Sequence, residues 1–350
     1  MMRISRVWNA LVAIGAILFF AQHSSAAKRQ SEEKPSTAAR SFREVTDEAG
    51  RTVRIPQPVR RIVSLAPSLT ETVYALGLQD LLVGDTDYCD YPADAMKKHK
   101  VGGAINPSME EVVALHPDVV LVTKGLNRLD TVYALEQLGI AAYATDPHTV
   151  EEIVRSSQKL AQVLGAPEAG EKLAADLNGR LEALHGRLQD ARQKKVLFVV
   201  WSEPLISIGQ KTFIADALRY AGAESIVDSK QDWPHVNLEE VVRLQPEFLV
   251  FAAKHGDEAA KQVEMLAQRP GWNLLKAVKE RRYAVISDAV NRPAPRIVSA
   301  IEDLARQLHP DLFGTQVQSG DPSGETKTLV ERSVWSGRTE QAEAMHACAR

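Results

Sequence analysis

"MEEVVALHPDVVLV" at Met109–Val122 returns as "LEEVVRLQPEFLVF" at Leu238–Phe251, 129 positions further along the chain. Each copy reads as a short helix, a turn at a proline and a buried apolar strand. Six of the fourteen aligned positions are identical, and Met/Leu, Asp/Glu and Val/Leu exchanges fill several others. The flanking pattern recurs too. "RRIVSLAP" and "SLTETVYALG" precede the first copy, and "KVLFVVW" and "TFIADALRYAGA" precede the second, each pair a buried strand followed by a helix that stops at a glycine, Gly77 or Gly222. Strand and helix in alternation specify an α/β sheet, and the recurrence in order specifies two related lobes.

Both copies open on a cap. Ser108 with Glu111, and Asn237 with Glu240, pair a small polar residue with a glutamate three positions later, the capping-box spacing, which accounts for Glu111 and Glu240. Ser68 and Glu71 have the same spacing at the start of "SLTETVYALG". Glu110 and Glu239 are left over. Two readings fit them: a favourable interaction with the helix dipole, worth roughly 0.3 to 1 kcal/mol, or a matched pair of acidic knobs for a two-fold partner carrying basic residues.

Between the lobes the pattern turns helical from Thr149 to Gln193, with Leu173, Leu177, Leu181, Leu184 and Leu188 at spacings of four and three. Its last part, Glu168 to Gln193, would extend about 39 Å as a helix and is long enough to lie across two bodies. Elsewhere "FREVTDEAGRTVRIP" reads as a hairpin, "LLVGDT" and "RRYAVIS" as strands, and Pro295 to Leu308 as a final helix. The organisation expected is a signal peptide at 1–27, a polar leader at 28–40, an N-terminal α/β lobe at 41–148, a helical connector at 149–194, a C-terminal α/β lobe at 195–313 and a disordered tail at 314–350. The signal peptide is read from Arg3 and Arg6, the apolar run Ala10 to Ala21 and the small residues "SSAA", with cleavage after Ala26 or Ala27. That run is too short to anchor in a membrane, and no cysteine lies beside the cleavage site to carry a lipid.

The 350 residues are 45% hydrophobic and 25% charged with a net charge of −3, an ordinary globular balance long enough for two compact units. No dense Lys/Arg run offers an electrostatic footprint for nucleic acid or anionic lipid. Cys89 and Cys348 allow one bridge but neither a disulfide framework nor a CxxC site. Nothing in the chain matches GxGxxG after a strand, GxxxxGK[ST], GxSxG or HExxH, and "IGQKTF" only faintly echoes a phosphate loop. An enzyme is therefore not expected.

The segments "RIVSLAPSLTETVYALG", "YCDYP", "VGGAINPSMEEVVALHPDVVLV", "WPHVNLEEVVRLQP" and "RPAPRIVSAIEDLA", in this order, resemble the periplasmic substrate-binding proteins of ABC importers with a rigid helical connector, closest to the cobalamin-binding members. The resemblance runs from about Arg60 to Leu308. It implies two Rossmann-like α/β lobes joined by a long α-helix, with a ligand cleft between them and only a small closing motion. It also implies a periplasmic protein, monomeric when free, that binds cobalamin and delivers it to an inner-membrane ABC permease dimer, with no resident cofactor, metal or bond chemistry. A ferric siderophore or haem is the alternative ligand, and an unrecognised periplasmic α/β enzyme or a sensor without a transporter is the alternative class. The glutamates that match Glu110 and Glu239 dock onto permease arginines in that family, one from each lobe.

By the same resemblance Tyr88 and Trp233 match ligand-contacting aromatics, and Asp288 and Arg292 lie in the segment that borders the cleft. Two further tryptophans of the family pocket fall opposite Ala104 and Thr123, and Trp201 has no aromatic counterpart. The residues themselves suit a flat macrocycle: the faces of Tyr88, Trp201 and Trp233 bury large apolar area at low entropic cost. Trp201 and Trp233 also read as core packing, and Tyr91 as a turn residue. Arg292, among Pro293, Pro295 and Arg296, suits a carboxylate or amide on the ligand, or a surface ion pair. Asp288 either accepts from ligand amides or ends its strand. His235 has an imidazole for cobalt or haem iron, although a lone histidine also reads as a loop residue. Asp85, Asp87 and Asp90 bunch in "DTDYCD" without the glycine and distal glutamate of a calcium loop.

Overall fold

The computed structural model describes residues 41–253 and 256–314; the expected signal peptide, polar leader and tail, and Cys348, lie outside them. The expected hairpin opens the described chain, β1 (Ser41–Thr46) antiparallel to β2 (Thr52–Gln57).

The N-terminal lobe follows as β3 (Ile62–Ser64), α1 (Pro67–Ala75), β4 (Leu82–Asp85), β5 (His99–Lys100), α2 (Met109–Ala114), β6 (Val119–Thr123), α3 (Leu129–Gln137) and β7 (Ala142–Thr145). Its strands form one parallel sheet in the order β5-β4-β3-β6-β7. Because side chains alternate across a strand, Val119 and Leu121 pack into one core with Leu69 and Val73 of α1. Val120 and Val122 pack into the other with Val112 of α2 and Leu135 of α3. Burial on both faces explains the unbroken apolar run of "VVLV".

Two helices follow, α4 (Val150–Val163) and α5 (Pro167–Leu188). The second lobe comprises β8 (Lys194–Val199), the short pair β9 (Trp201–Ser202) and β10 (Leu205–Ile206), α6 (Phe213–Tyr220), β11 (Ala223–Ser225), α7 (Leu238–Leu244), β12 (Phe248–Ala252), α8 (Gly256–Ala267), α9 (Lys276–Lys279), β13 (Tyr283–Ile286) and α10 (Ile297–Leu308). Its parallel sheet runs β11-β8-β12-β13. If β3 is laid on β8 and β6 on β12, the order β4-β3-β6-β7 of the first lobe becomes β11-β8-β12-β13. The two lobes therefore share one topology.

The likeness reaches single residues. His116 and Gln245, also 129 apart, are both left-handed, at φ 44° and 48°, and each precedes the proline that turns helix into strand. The acid after that proline does the same work in both lobes. Asp118 accepts from the backbone N–H groups of Arg60 and Arg61 at 2.8 and 3.0 Å, and Glu247 accepts from that of Lys195 at 3.0 Å. Gly77 and Gly222 close their helices at φ 72° and 74°, which only glycine adopts at no steric cost.

The caps depart from expectation. Ser108 does accept from the Glu111 N–H, but the Glu111 carboxylate meets His99 at 2.7 Å. Asn237 accepts from Glu239 rather than Glu240, and Glu240 pairs with Arg243. At α1 the N-cap is Ala66, with Pro67 beginning the helix, so Ser68 and Glu71 are no capping box at all; both lie inside the helix and are buried. A proline at the first helical position supplies the start that the sequence pattern assigned to Ser68.

The connector differs too. The leucines expected on the long helix do face one way, with Leu177, Leu181, Leu184 and Leu188 buried and Leu173 partly so, but they all pack into the core of the second lobe. The helix whose apolar side chains reach both cores is α4. Val150, Ile153 and Val154 enter the second lobe, and Leu160 and Val163 enter the first. Gly165, at φ 84°, separates α4 from α5. The two then pack closely at Gly170, where a Cβ would lie 2.6 Å from that of Ala161.

Candidate ligand cleft

In parallel sheets of this order ligands sit beyond the carboxyl ends of the strands. In the first lobe the loop after β4 leaves the sheet there, carrying Asp85, Asp87, Tyr88, Asp90 and Tyr91. It is held from behind by Lys100 at the end of β5. The ammonium donates to Asp85 Oδ1 at 2.8 Å and to the carbonyls of Thr86, Cys89 and Ala95 at 3.1 to 3.2 Å. Cys89 is buried beneath the loop with its sulfur 3.2 Å from the hydroxyls of both Thr70 and Thr86, and burial pushes its thiol pKa up. Burial also pushes Asp85 up, to about 6, against the opposing pull of Lys100. With its backbone pinned, the loop presents Tyr88 and Tyr91 outward, at 36% and 46% exposure. The three aspartates face three ways and do not converge: Asp85 to Lys100, Asp87 to solvent and Asp90 across to the other lobe.

That crossing is an ion-pair network. Arg292 follows the short turn Asp288–Asn291 that leaves β13. Its guanidinium donates to Glu71 at 2.9 Å, to Asp90 at 2.6 Å and to the Tyr88 carbonyl at 3.3 Å. Arg296 meets Glu71 through two bonds of 2.9 Å, approaches Asp288 at 3.5 Å and stacks 4.1 Å over the Tyr91 ring. Glu71 is the centre, its side chain only 2% exposed and shared by both arginines. Burial opposes the charge on Arg292, but its bonds to Asp90 and Glu71 outweigh that and raise its pKa. The pair is thus an inter-lobe contact, 13% exposed on the Arg292 side, and not the surface ion pair offered by one reading of the sequence.

The second lobe contributes a small ribbon. Trp201 stands directly opposite Ile206, and Ile206 in turn bridges His235. Directly opposed residues project to one face, so Trp201 and His235 flank Ile206 on the same side. Trp201 is 45% exposed, which overturns its reading as a core residue, and its indole N–H donates to the Glu203 carbonyl at 2.6 Å. Trp233, at the start of the segment that joins the ribbon, is partly buried against the core of its lobe. Of the expected ligand residues the structure joins Asp288, Arg292 and the Tyr88 carbonyl in one network; Trp201 stands on the ribbon, and Trp233, two residues before the His235 bridge, packs partly buried against the core.

Glu110 and Glu239 lie in the first turns of α2 and α7, at matching positions of the two copies. Both are exposed, and among the described residues neither is held in an ion pair. Glu71, Asp90, Lys100 and Arg296 had no expected part in the cleft. Glu71 is buried among Ser68, Thr70 and Thr72 as well as Leu69 and Val73, so no local pattern in the sequence singled it out.

The sequence profile of the family described as Periplasmic binding protein matches residues 62–289. A vitamin B12-binding protein of Vibrio parahaemolyticus is 31% identical over 255 residues, spanning 72% of this chain and 90% of that protein. The crystal structure of the periplasmic vitamin B12 binding protein BtuF of Vibrio cholerae superposes with a TM-score of 0.61 at 27% identity, covering 74% of this chain and 99% of that one. A periplasmic haem-binding protein from Pseudomonas aeruginosa superposes with a TM-score of 0.64 at 25% identity, over 72% of this chain and 93% of that one. The repeated lobes, the helical connection and these likenesses lead to one assignment: the chain belongs to the periplasmic binding protein family.

Proposed function

We propose that this protein captures a corrinoid of the cobalamin type between its lobes in the periplasm and hands it to an ABC permease, without bond chemistry. Delivery of solute to ABC transporter permeases is the work of the family. The observation that carries the ligand reading is the set of exposed aromatic faces, Tyr88 and Tyr91 from one lobe and Trp201 from the other, on loops at the strand ends. Exposed aromatics cost free energy in water, and a flat macrocycle covers them while its polar edge stays solvated. Vitamin B12-binding relatives support the same choice.

In this reading Tyr88, Trp201 and Trp233 supply apolar faces, Asp288 and Arg292 supply the polar wall, and Glu110 and Glu239 meet the two halves of the permease. The free protein is a monomer. A haem or ferric siderophore is the second reading, favoured by the equal likeness to a haem-binding structure.

Titration of the purified protein with cyanocobalamin by calorimetry and visible absorbance tests the ligand. Micromolar or tighter binding is expected, weakened about tenfold by Trp201→Ala and by Trp233→Ala, as for loss of a central aromatic anchor. Absence of corrinoid binding, with binding of haem, would replace the ligand and keep the class.

A further inference from the structure

We propose that Glu71 is a charge filter: by holding Arg292 and Arg296 it makes the polar wall of the cleft accept neutral, amide-bearing groups and reject carboxylates. The proposal rests on the ligand-binding reading above and adds the class of side group that the cleft admits.

Glu71 is shared by Arg292 and Arg296, and Asp90 is a second acid on Arg292, so both guanidiniums are already paired before any ligand arrives. A ligand carboxylate approaching Arg292 meets a guanidinium already balanced by Glu71 at 2.9 Å and Asp90 at 2.6 Å. Both acids sit on Nη1, so a carboxylate that takes the remaining Nε–H and Nη2–H lies beside Glu71 and Asp90 with no unbalanced cation to answer its charge. Displacing Glu71 instead leaves a carboxylate whose side chain is 2% exposed on Arg296 alone, and a buried charge that loses one of its two partners is costly.

A neutral carbonyl faces no such exchange. The bonds to Glu71, Asp90 and the Tyr88 carbonyl leave guanidinium N–H capacity on Arg292. An amide oxygen accepts from it without disturbing the acids, and an amide N–H has Asp288 and Asp90 as acceptors. Specificity here comes from the repulsive element as much as from the attractive one. Glu71 touches no ligand in this scheme; it acts through the arginines, as a positioning residue, and its place on α1 ties the filter to the first lobe while the arginines belong to the second.

The test compares matched pairs that differ only in charge: cyanocobalamin against its derivative with one peripheral amide hydrolysed to a carboxylate, and haem dimethyl ester against haem. Wild type is expected to prefer the neutral member of whichever pair it binds by roughly tenfold or more, the scale of one uncompensated charge. Glu71→Gln should bring that ratio close to one while changing affinity for the neutral member less. Asp90→Asn, at the more exposed end of the network, should move the ratio the same way by a smaller factor and guards against a fold too damaged by the change at Glu71. A purely structural Glu71 would weaken both members alike and leave the ratio untouched. Equal binding of the two members by wild type, or a ratio unmoved in both variants, would overturn the filter whichever macrocycle binds. If corrinoids fail and haem compounds bind, the ligand reading falls and the filter is judged on the haem pair; if neither binds, both fall.

Discussion

The Lys100 ammonium is shared between one carboxylate and three carbonyls of a single loop. Burial raises Asp85 to about 6 although Lys100 pulls it down. The raised value means that the folded protein keeps a proton between roughly pH 4 and pH 6 that the unfolded chain, with an ordinary carboxylate, has lost. Stability from this group is therefore greatest below about pH 4 and falls as pH rises to 6. Removing the ammonium in Lys100→Met sharpens this dependence: the loss of stability in urea should be larger at pH 7, where Asp85 must otherwise ionise unaided, than at pH 5. Asp85→Asn should flatten the difference, and a loss equal at both pH values would show that the pair does not couple. Tyr88 was expected in the cleft from the family resemblance and as an aromatic face, and the structure leaves it exposed on the loop after β4. Glu71 was not, because its spacing from Ser68 imitates a cap, and nothing local shows that its partners lie 221 and 225 residues away.

The paired turns show how two elements of the same pattern diverge in what they use. His116 and Gln245 both adopt a left-handed conformation that costs a non-glycine residue of order 1 kcal/mol. Gln245 recovers that cost, since its amide donates to the Val242 carbonyl at 2.8 Å and accepts from the Lys276 N–H at 3.0 Å. His116 is exposed on its turn. His116→Gly should accordingly leave stability unchanged or raise it by about 0.5 kcal/mol, whereas Gln245→Gly should lower it by about 1 kcal/mol; thermal unfolding of the two variants decides, and equal shifts would refute the assignment. The repeat itself was readable because burial on both faces of a parallel sheet forces a continuous apolar run, and in both copies that run follows the same EEVV helix start and the same proline turn. The helix Leu129–Gln137, the strand Ala142–Thr145 and the helix Gly256–Ala267 went without individual expectation; the first is only nine residues long and the second four. The carboxylates at Glu111 and Glu240 were misassigned because exposed acids near a cap choose between a backbone N–H and any side-chain partner nearby, and here they meet the His99 ring and the Arg243 guanidinium.

At the scale of the whole molecule, the lobes are joined by α4, whose apolar residues divide between the two cores, and by the Glu71 network at the strand ends. The leucine repeat made α5 conspicuous, yet a regular repeat reveals only that a helix has one apolar face, and the division of α4 between two cores depends on the tertiary fold. On the proposed function, these two ties hold the lobes to a small closing motion and keep the first turns of α2 and α7 in a nearly constant relation. That constancy suits docking on a two-fold partner, where each lobe offers an equivalent glutamate. Reversal of both charges, Glu110→Arg with Glu239→Arg, should leave ligand affinity within about twofold, because neither residue belongs to the network at the strand ends. Association with the permease should fall by about tenfold for either single reversal and about a hundredfold for both, if the sites act independently. Exposed charge pairs weaken with ionic strength, so wild-type association should decline as salt is raised and that of the double variant should hardly change. Vesicles containing the permease, supplied with each variant and labelled ligand, give the measurement. Transport that survives the double reversal at low salt would show that the matched glutamates serve their helix dipoles and not a transporter.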